Sequence, residues 1–156
     1  MSIKKYPHLY LSNQTCFAAY TVARQITQAY HPLLKLLGLT YPQYLVMLVL
    51  WEAMENNQQW LKVGDICDEL MLDTGTITPL LKRMETSGSI VRQRSESDER
   101  IVLVGLTEQG MSLRELASTV PSNLMCRAGV SIDEAASLRD HLWGWIKRWQ
   151  KAKNQS

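Results

Sequence analysis

Residues 62–110 read KVGDICDELMLDTGTITPLLKRMETSGSIVRQRSESDERIVLVGLTEQG, and the period of the apolar residues changes once along them. Val63, Ile66, Cys67 and Leu70 recur at helical spacing and mark one inward face of a short helix. MLD (71–73) leaves room only for a tight turn. TGTITPLLKRMETSG (74–88) is a second helix, with Ile77, Leu80, Leu81 and Met84 inward and Gly88 as its terminator. Two short helices joined by three residues make a helix-turn-helix. Pro79 conflicts with the second helix because it removes a backbone hydrogen bond, so a late start or a kink is expected there. After Gly88 the period falls to two. SIVRQR (89–94) and RIVLVGL (100–106) are β-rich runs joined by the charged tip SESDE (95–99). A hairpin directly behind a helix-turn-helix makes a winged helix.

Outward from this core the chain reads as helix. Residues 13 to about 30 lack Pro and Gly and place Cys16, Ala19, Ala23, Ile26 and Tyr30 on one face, with Ser12 or Asn13 as the cap. Pro32 is expected to force His31 out of helical geometry and end this helix, leaving PLLKLLG (32–38) as a separate short helix closed by Gly38. In TYPQ (40–43), Thr40 is an N-cap, Pro42 sits in the first turn and Gln43 completes a capping box. An apolar helix follows through Leu45, Leu48 and Trp51, ending in the polar loop ENNQQ (55–59). On the other side Thr107 caps a helix that Pro121 and Gly129 interrupt. Ser131 and Glu134 form a further capping box before a last helix striped by Leu138, Leu142, Trp145 and Trp149. The fold class expected is mainly α with a small β-hairpin wing.

The totals exclude several classes. At 156 residues the chain is most simply one domain, and its 46% apolar and 21% charged content is that of a globular protein. The longest strongly apolar run, YLVMLVLW (44–51), is far short of a membrane span. MSIKKYPHLYLSNQT (1–15) lacks the apolar stretch of a signal peptide. Three widely spaced cysteines do not suit a secreted disulfide framework, so a reduced, cytoplasmic protein is expected. His8, His31 and His141 form no ligand spacing with the cysteines, and no CxxC, HExxH or phosphate-loop pattern occurs, so neither metal nor cofactor is expected. The basic end LWGWIKRWQKAKN (142–154) reads as a packing helix with a solvated face, not a membrane anchor.

A net charge of +2 does not by itself point to nucleic acid. Shape does. In a helix-turn-helix the second helix enters the major groove by its N-terminal end. That end carries Thr74, Thr76 and Thr78, short side chains that can read bases or hold phosphates, with Lys82 and Arg83 further along. A threonine-rich start is also simply a good helix cap; the following hairpin tips the reading toward DNA. Residues 73–100 hold five Lys/Arg and five Asp/Glu, so the acids are expected to orient the arginines. Asp98 lies two residues from Arg100, with Arg94 on the facing strand, and an arginine held at a hairpin tip suits a narrow minor groove. The plainer reading of that tip is a solvated charge run.

DERIVLVGLTEQG (98–110) resembles the signature of the MarR family of winged-helix repressors at Asp98, Arg100, Leu106, Thr107 and Gly110. CFAAYTVARQITQAY (16–30), LLGLTYPQYLVMLVLWE (36–52) and LDTGTITPLLKRME (72–85) look like the organic-hydroperoxide sensors of that family, the OhrR group. The resemblance runs from about residue 14 to 116. It implies an entwined homodimer on a palindromic operator, with 1–60 and 107–156 as a helical dimerisation region and 61–106 as the DNA-binding winged helix. It also implies that Cys16 is the peroxide-reactive thiol and that Tyr30 and Tyr41 hydrogen-bond it from the other subunit. In two-cysteine members a second thiol from the far subunit resolves the oxidised sensor. Cys126 is the candidate; otherwise it is a spare thiol and a small thiol resolves Cys16.

The residues speak partly to this. Cys16 and Tyr30 are fourteen apart, on one helix face but about 21 Å apart along a continuous helix, so they cannot touch within one chain, and a partner chain running the other way could bring them together. A lone cysteine on an apolar face is commonly core packing. Cys16, however, lies near a helix start, where free N–H groups and the positive helix end favour the thiolate that attacks peroxide. Cys67, between Ile66 and Leu70, reads as core. The reading is a redox-sensing repressor. Its rivals are a regulator released by a small ligand in the dimer crevice, with Cys16 as a wall residue, and a thiol peroxidase.

Overall fold

In a computed structural model describing residues 5–153 and 155, the chain forms two compact units that divide between Ser118 and Thr119. The first holds five helices, α1 (Thr15–Lys35), α2 (Tyr41–Glu55), α3 (Val63–Leu70), α4 (Thr74–Thr86) and α5 (Glu108–Ala117). It also holds three strands, β1 (Leu61–Lys62), β2 (Ile90–Arg94) and β3 (Val102–Leu106). The second unit holds α6 (Val120–Ala128) and α7 (Ile132–Lys153). Among the described residues no helix is long and apolar enough to cross a membrane.

The helix-turn-helix is α3 and α4. Ile66, Cys67, Ile77, Leu80, Leu81 and Met84 are buried as their spacing predicts, each large side chain worth about 1.5–3 kcal/mol of apolar transfer. Asp73 caps α4, its carboxylate accepting from the Thr76 N–H at 2.9 Å and the Thr76 hydroxyl at 2.8 Å. Pro79 neither delays nor splits α4, which is helical from Thr74. The N–H that Pro79 lacks would have bonded Gly75 in the exposed first turn, where water takes that carbonyl at little cost. Gly88 ends the helix with φ +81°. The wing is the β2–β3 hairpin, in register from Ile90↔Leu106 to Arg94↔Val102. A third strand was not legible in the sequence: β1 pairs antiparallel on the far edge of β3, Leu61 opposite Val104. Two residues are too few to show a period, and the pairing exists only because α2 and α3 bring them to β3.

Two expectations for the N-terminal helix fail. Pro32 does not end it; α1 runs on to Lys35 and absorbs the first residues of the supposed short helix. The only bond lost is the one to Gln28, an exposed position, and buried Leu34 holds the last turn in the core. The cap is Gln14, not Ser12 or Asn13, and its side chain makes no capping bond but donates back to the carbonyls of His8 and Tyr10. Cys16 therefore stands at the second helical position. The α2 capping box forms as read, Gln43 accepting from the Thr40 N–H at 2.8 Å. Phe17, Tyr20, Val22 and Ile26 of α1 remain exposed in the single chain. In the second unit, Gly129 closes α6 at φ +63°, Ser131 and Glu134 cap α7, and Leu138, Leu142, Trp145 and Trp149 form an exposed stripe.

One junction ties α4, the wing and α5 together. The Thr107 hydroxyl donates to the Gly88 carbonyl at 2.6 Å and accepts from the Gly110 N–H at 3.0 Å. A Cβ on Gly110 would lie 2.0 Å from the Ser89 carbonyl oxygen, which is backbone and cannot swing away. Gly110→Ala is expected to destabilise the protein by about 1–3 kcal/mol or more through this overlap, lowering the midpoint of urea unfolding followed by circular dichroism.

Candidate DNA interface and thiol sensor

The recognition helix and wing form one surface. Thr74, Thr78, Lys62, Arg92 and Arg100 line a groove of about 380 Å³ between the start of α3, the start of α4 and the tip side of the hairpin. Thr74 and Thr78 thus face a common space with the wing. Thr76 is exposed at the same end, but its hydroxyl hydrogen is committed to Asp73, leaving its methyl and lone pairs outward. Lys82 and Arg83 are exposed on the second half of α4. Lys62 was missed from the sequence; it carries no motif and reaches the groove only because β1 pairs with β3.

The arginines of the wing divide into two kinds. Arg92 points inward to Glu85 of α4, whose carboxylate accepts from the Arg92 backbone N–H at 3.1 Å and from the guanidinium at 2.6 and 3.0 Å. That bonding holds the Glu85 carboxyl below its ordinary range and braces the wing on the recognition helix. Arg100 points outward. Asp98 accepts from its backbone N–H and from both Nε and Nη2, each at 3.0 Å, while the Arg100 side chain stays 90% exposed. The two-residue spacing is what lets one carboxylate hold both groups. The same bonds lower the Asp98 carboxyl and raise the Arg100 guanidinium, so the pair is ionised throughout the neutral range. Arg94 donates to the Glu99 carbonyl across the tip and remains exposed.

The thiol site is split. Cys16 is an exposed free thiol in the first turn of α1. Tyr30 and Tyr41 meet at the other end of that helix, their ring centroids 5.0 Å apart. Because α1 is continuous from Thr15 to Lys35, about 21 Å of helix separates Cys16 from Tyr30 within one chain. Tyr44, not singled out from the sequence, completes the cluster; it is buried, with its ring centroid 5.7 Å from that of Tyr30. Burial, then the neighbouring Tyr44 and Tyr41, push the Tyr30 phenol up to about 12, and burial raises Tyr41 and Tyr44 as well. These hydroxyls remain hydrogen-bond donors at any physiological pH. Cys67 is buried in the helix-turn-helix, its thiol 3.9 Å from the Thr74 hydroxyl, as a core residue should be. Cys126 is exposed in the last turn of α6.

Residues 28–115 match the family model described as transcriptional regulator SarA/Rot. The chain is 44% identical over 139 residues to the organic hydroperoxide resistance transcriptional regulator of Bacillus subtilis, covering 89% of this chain and 91% of that protein. AbfR, of Staphylococcus epidermidis, is similar in structure at 36% identity. Its reduced, DNA-bound form covers 89% of this chain and 94% of its own at a TM-score of 0.75, and its disulfide form 87% and 92% at 0.60. The matched family and the Bacillus subtilis relative are transcriptional regulators, which sets aside the thiol peroxidase reading.

The tyrosine cluster has a spectroscopic signature. In an alkaline titration followed at 295 nm, the wild-type minus Tyr30→Phe difference curve is expected to rise at about pH 12, not at the ordinary tyrosine value. A difference curve centred near pH 10 would show that Tyr30 is not held in this desolvated stack.

Proposed function

The chain belongs to the SarA/Rot family of MarR-like winged-helix transcriptional regulators, and we propose that it is a dimeric cytoplasmic repressor released from its operator by organic hydroperoxide at Cys16. The observation that carries this reading is the split site. An exposed first-turn cysteine and a protonated tyrosine pair stand at opposite ends of one unbroken helix, in a chain 44% identical to a hydroperoxide-resistance regulator. A second α1 laid antiparallel would bring each Cys16 to the partner's tyrosine pair and cover Phe17, Tyr20 and Ile26. In this reading residues 1–60 and 107–156 are the dimerisation region, within which α7 carries its own exposed apolar stripe, and 61–106 the DNA-binding region.

In the reduced dimer the Tyr30 and Tyr41 hydroxyls donate to the Cys16 thiolate. The sulfur attacks the outer oxygen of the hydroperoxide; the O–O bond breaks, sulfur is oxidised to sulfenic acid, and the alkoxide takes a proton and leaves as alcohol. A second thiol, Cys126 of the other chain or a small thiol, attacks the sulfenic sulfur, and water leaves as the disulfide forms. The tyrosine bonds to sulfur are lost, the dimer helices shift and the two recognition helices no longer match half-sites one helical turn apart. On DNA, Thr74, Thr76 and Thr78 face base edges, Lys82 and Arg83 the backbone, and Arg94 and the Asp98-held Arg100 the adjacent groove.

Cys16→Ser is expected to bind operator as wild type does and to stay bound when organic hydroperoxide is added, in an electrophoretic shift assay with dithiothreitol as the reversal control. Release at the wild-type dose would remove Cys16 from the mechanism. On non-reducing gels, oxidised wild type is expected to run as a covalent dimer, and Cys126→Ser as a monomer carrying a small-thiol adduct or an overoxidised Cys16.

The two kinds of DNA contact separate by mutation. Arg100→Ala is expected to weaken binding to every operator variant and to lower the slope of log affinity against log salt by about one. Thr78→Ala is expected to alter base preference by about 1–3 kcal/mol at one position of each half-site. Binding isotherms unchanged in both variants would place the DNA on another face.

A further inference from the structure

A continuous line of buried and part-buried contacts joins the sensor tyrosines to the end of the recognition helix. Tyr30 of α1 packs on Tyr44 of α2 at 5.7 Å between centroids. Seven residues on, and therefore on the same face of α2, the edge of Trp51 meets the Tyr44 ring at 6.3 Å and 69°. Trp51 is 4% exposed, and its indole Nε1–H donates to the Gly110 carbonyl of α5 at 3.0 Å across 59 residues of chain. The Gly110 N–H is held by the Thr107 hydroxyl at 3.0 Å. That hydroxyl donates to the carbonyl of Gly88, the left-handed residue that closes α4, at 2.6 Å.

We infer that the Trp51 indole is a positioning residue for peroxide release: it fixes the end of the recognition helix to the sensor tyrosines through Gly110, Thr107 and Gly88. This rests on the reading of Cys16 as the sensor. An indole has one donor and no acceptor, so a buried Nε1–H has a single way to be satisfied. If oxidation of Cys16 frees Tyr30 and the Tyr30–Tyr44 stack shifts, Trp51 must move with α2. It then either draws the Gly110 carbonyl with it or leaves its N–H unpaired in the core, and the first course costs less. Gly110 has no slack of its own, because the Ser89 carbonyl would stand 2.0 Å from any Cβ and already packs against it. A pull on Gly110 therefore reaches Ser89 and Gly88, where α4 passes into the wing. None of these residues faces the groove that carries Thr78 and Arg100.

The test separates sensing from response. Full-length wild type, Trp51→Phe and Thr107→Val are compared on a duplex selected from a randomised pool by the reduced wild-type protein. Three quantities are measured: the rate of Cys16 oxidation by tert-butyl hydroperoxide, the reduced Kd, and the ratio of oxidised to reduced Kd. Trp51→Phe keeps the ring contact and removes the N–H; Thr107→Val keeps the volume and removes the bridge. In both, oxidation rate and reduced Kd are expected within about threefold of wild type, while the oxidised-to-reduced ratio falls about tenfold or more. General destabilisation would not lower that ratio at unchanged oxidation rate. A wild-type ratio in Thr107→Val overturns the inference, even if Trp51→Phe fails to fold. Wild-type protein that keeps its DNA after Cys16 is oxidised overturns the sensor reading and this inference together; wild-type release with unaltered ratios in the variants overturns this inference alone.

Discussion

The carbonyl of Ser89 lies where a side chain on residue 110 would be, 2.0 Å from the position of its Cβ. The winged helix depends on this close approach. Ser89 is the residue at which the recognition helix has just ended and the first wing strand is about to begin, and its carbonyl also accepts from the Thr107 N–H at 3.3 Å. With glycine at 110, α5 can lie against that turn. Thr107 then serves two elements at once, capping α5 and bonding the carbonyl of Gly88. The Leu-Thr-x-x-Gly signature is thus a packing constraint: a hydroxyl to bridge the junction and, three residues later, the absence of a side chain.

Charge is spent on geometry in the DNA-binding region, where five basic and five acidic side chains between 73 and 100 cancel in number. Glu85 neutralises Arg92 in a half-buried ion pair and fixes the hairpin to α4. Asp98 does not bury Arg100 but aims it, leaving the guanidinium 90% exposed. Asp73 turns its charge on the first-turn N–H groups of α4, including that of Thr76. Bonding lowers all three carboxyls below their ordinary range, so they stay ionised at neutral pH and the surface keeps its shape there. Affinity for a polyanion then comes from a few well-held cations, with net charge contributing little.

Helix continuity sets the logic of the sensor. The bond Pro32 lacks lies in an exposed turn, and the helix continues through it to Lys35. Cys16 and Tyr30 both precede Pro32 on this helix and are remote from each other within one chain, and in the proposed reading the uncovered apolar side chains of α1 take a second chain that brings the two together. In the proposed reading a sensing site completed by two subunits couples thiol chemistry to dimer geometry, and dimer geometry is what a palindromic operator measures.

The helix-turn-helix and wing were legible in the sequence because their signals are local. Ile77, Leu80, Leu81 and Met84 repeat at helical spacing, Gly88 and Thr107 punctuate the chain, and the period of two after Gly88 is unambiguous. Asp98 and Arg100 were legible as a pair because a carboxylate two residues from an arginine can hold both its backbone and its side chain. Cys16, Tyr30 and Tyr41 stood out only through family resemblance, since a cysteine or tyrosine on an apolar face carries no period of its own. What the sequence misread or left out depended on neighbours distant in the chain. The end of α1 was decided by Leu34 in the core, against the local preference of Pro32. The strand at Leu61–Lys62 exists because β3 offers an edge. Lys62 reaches the groove by that pairing, and Tyr44 and Trp51 acquired roles only when α2 was laid between α1 and α5. Short-range spacing fixes most of the helices and the wing strands; burial and hydrogen bonds between residues up to 59 apart decide the end of α1, the strand β1 and which side chains meet.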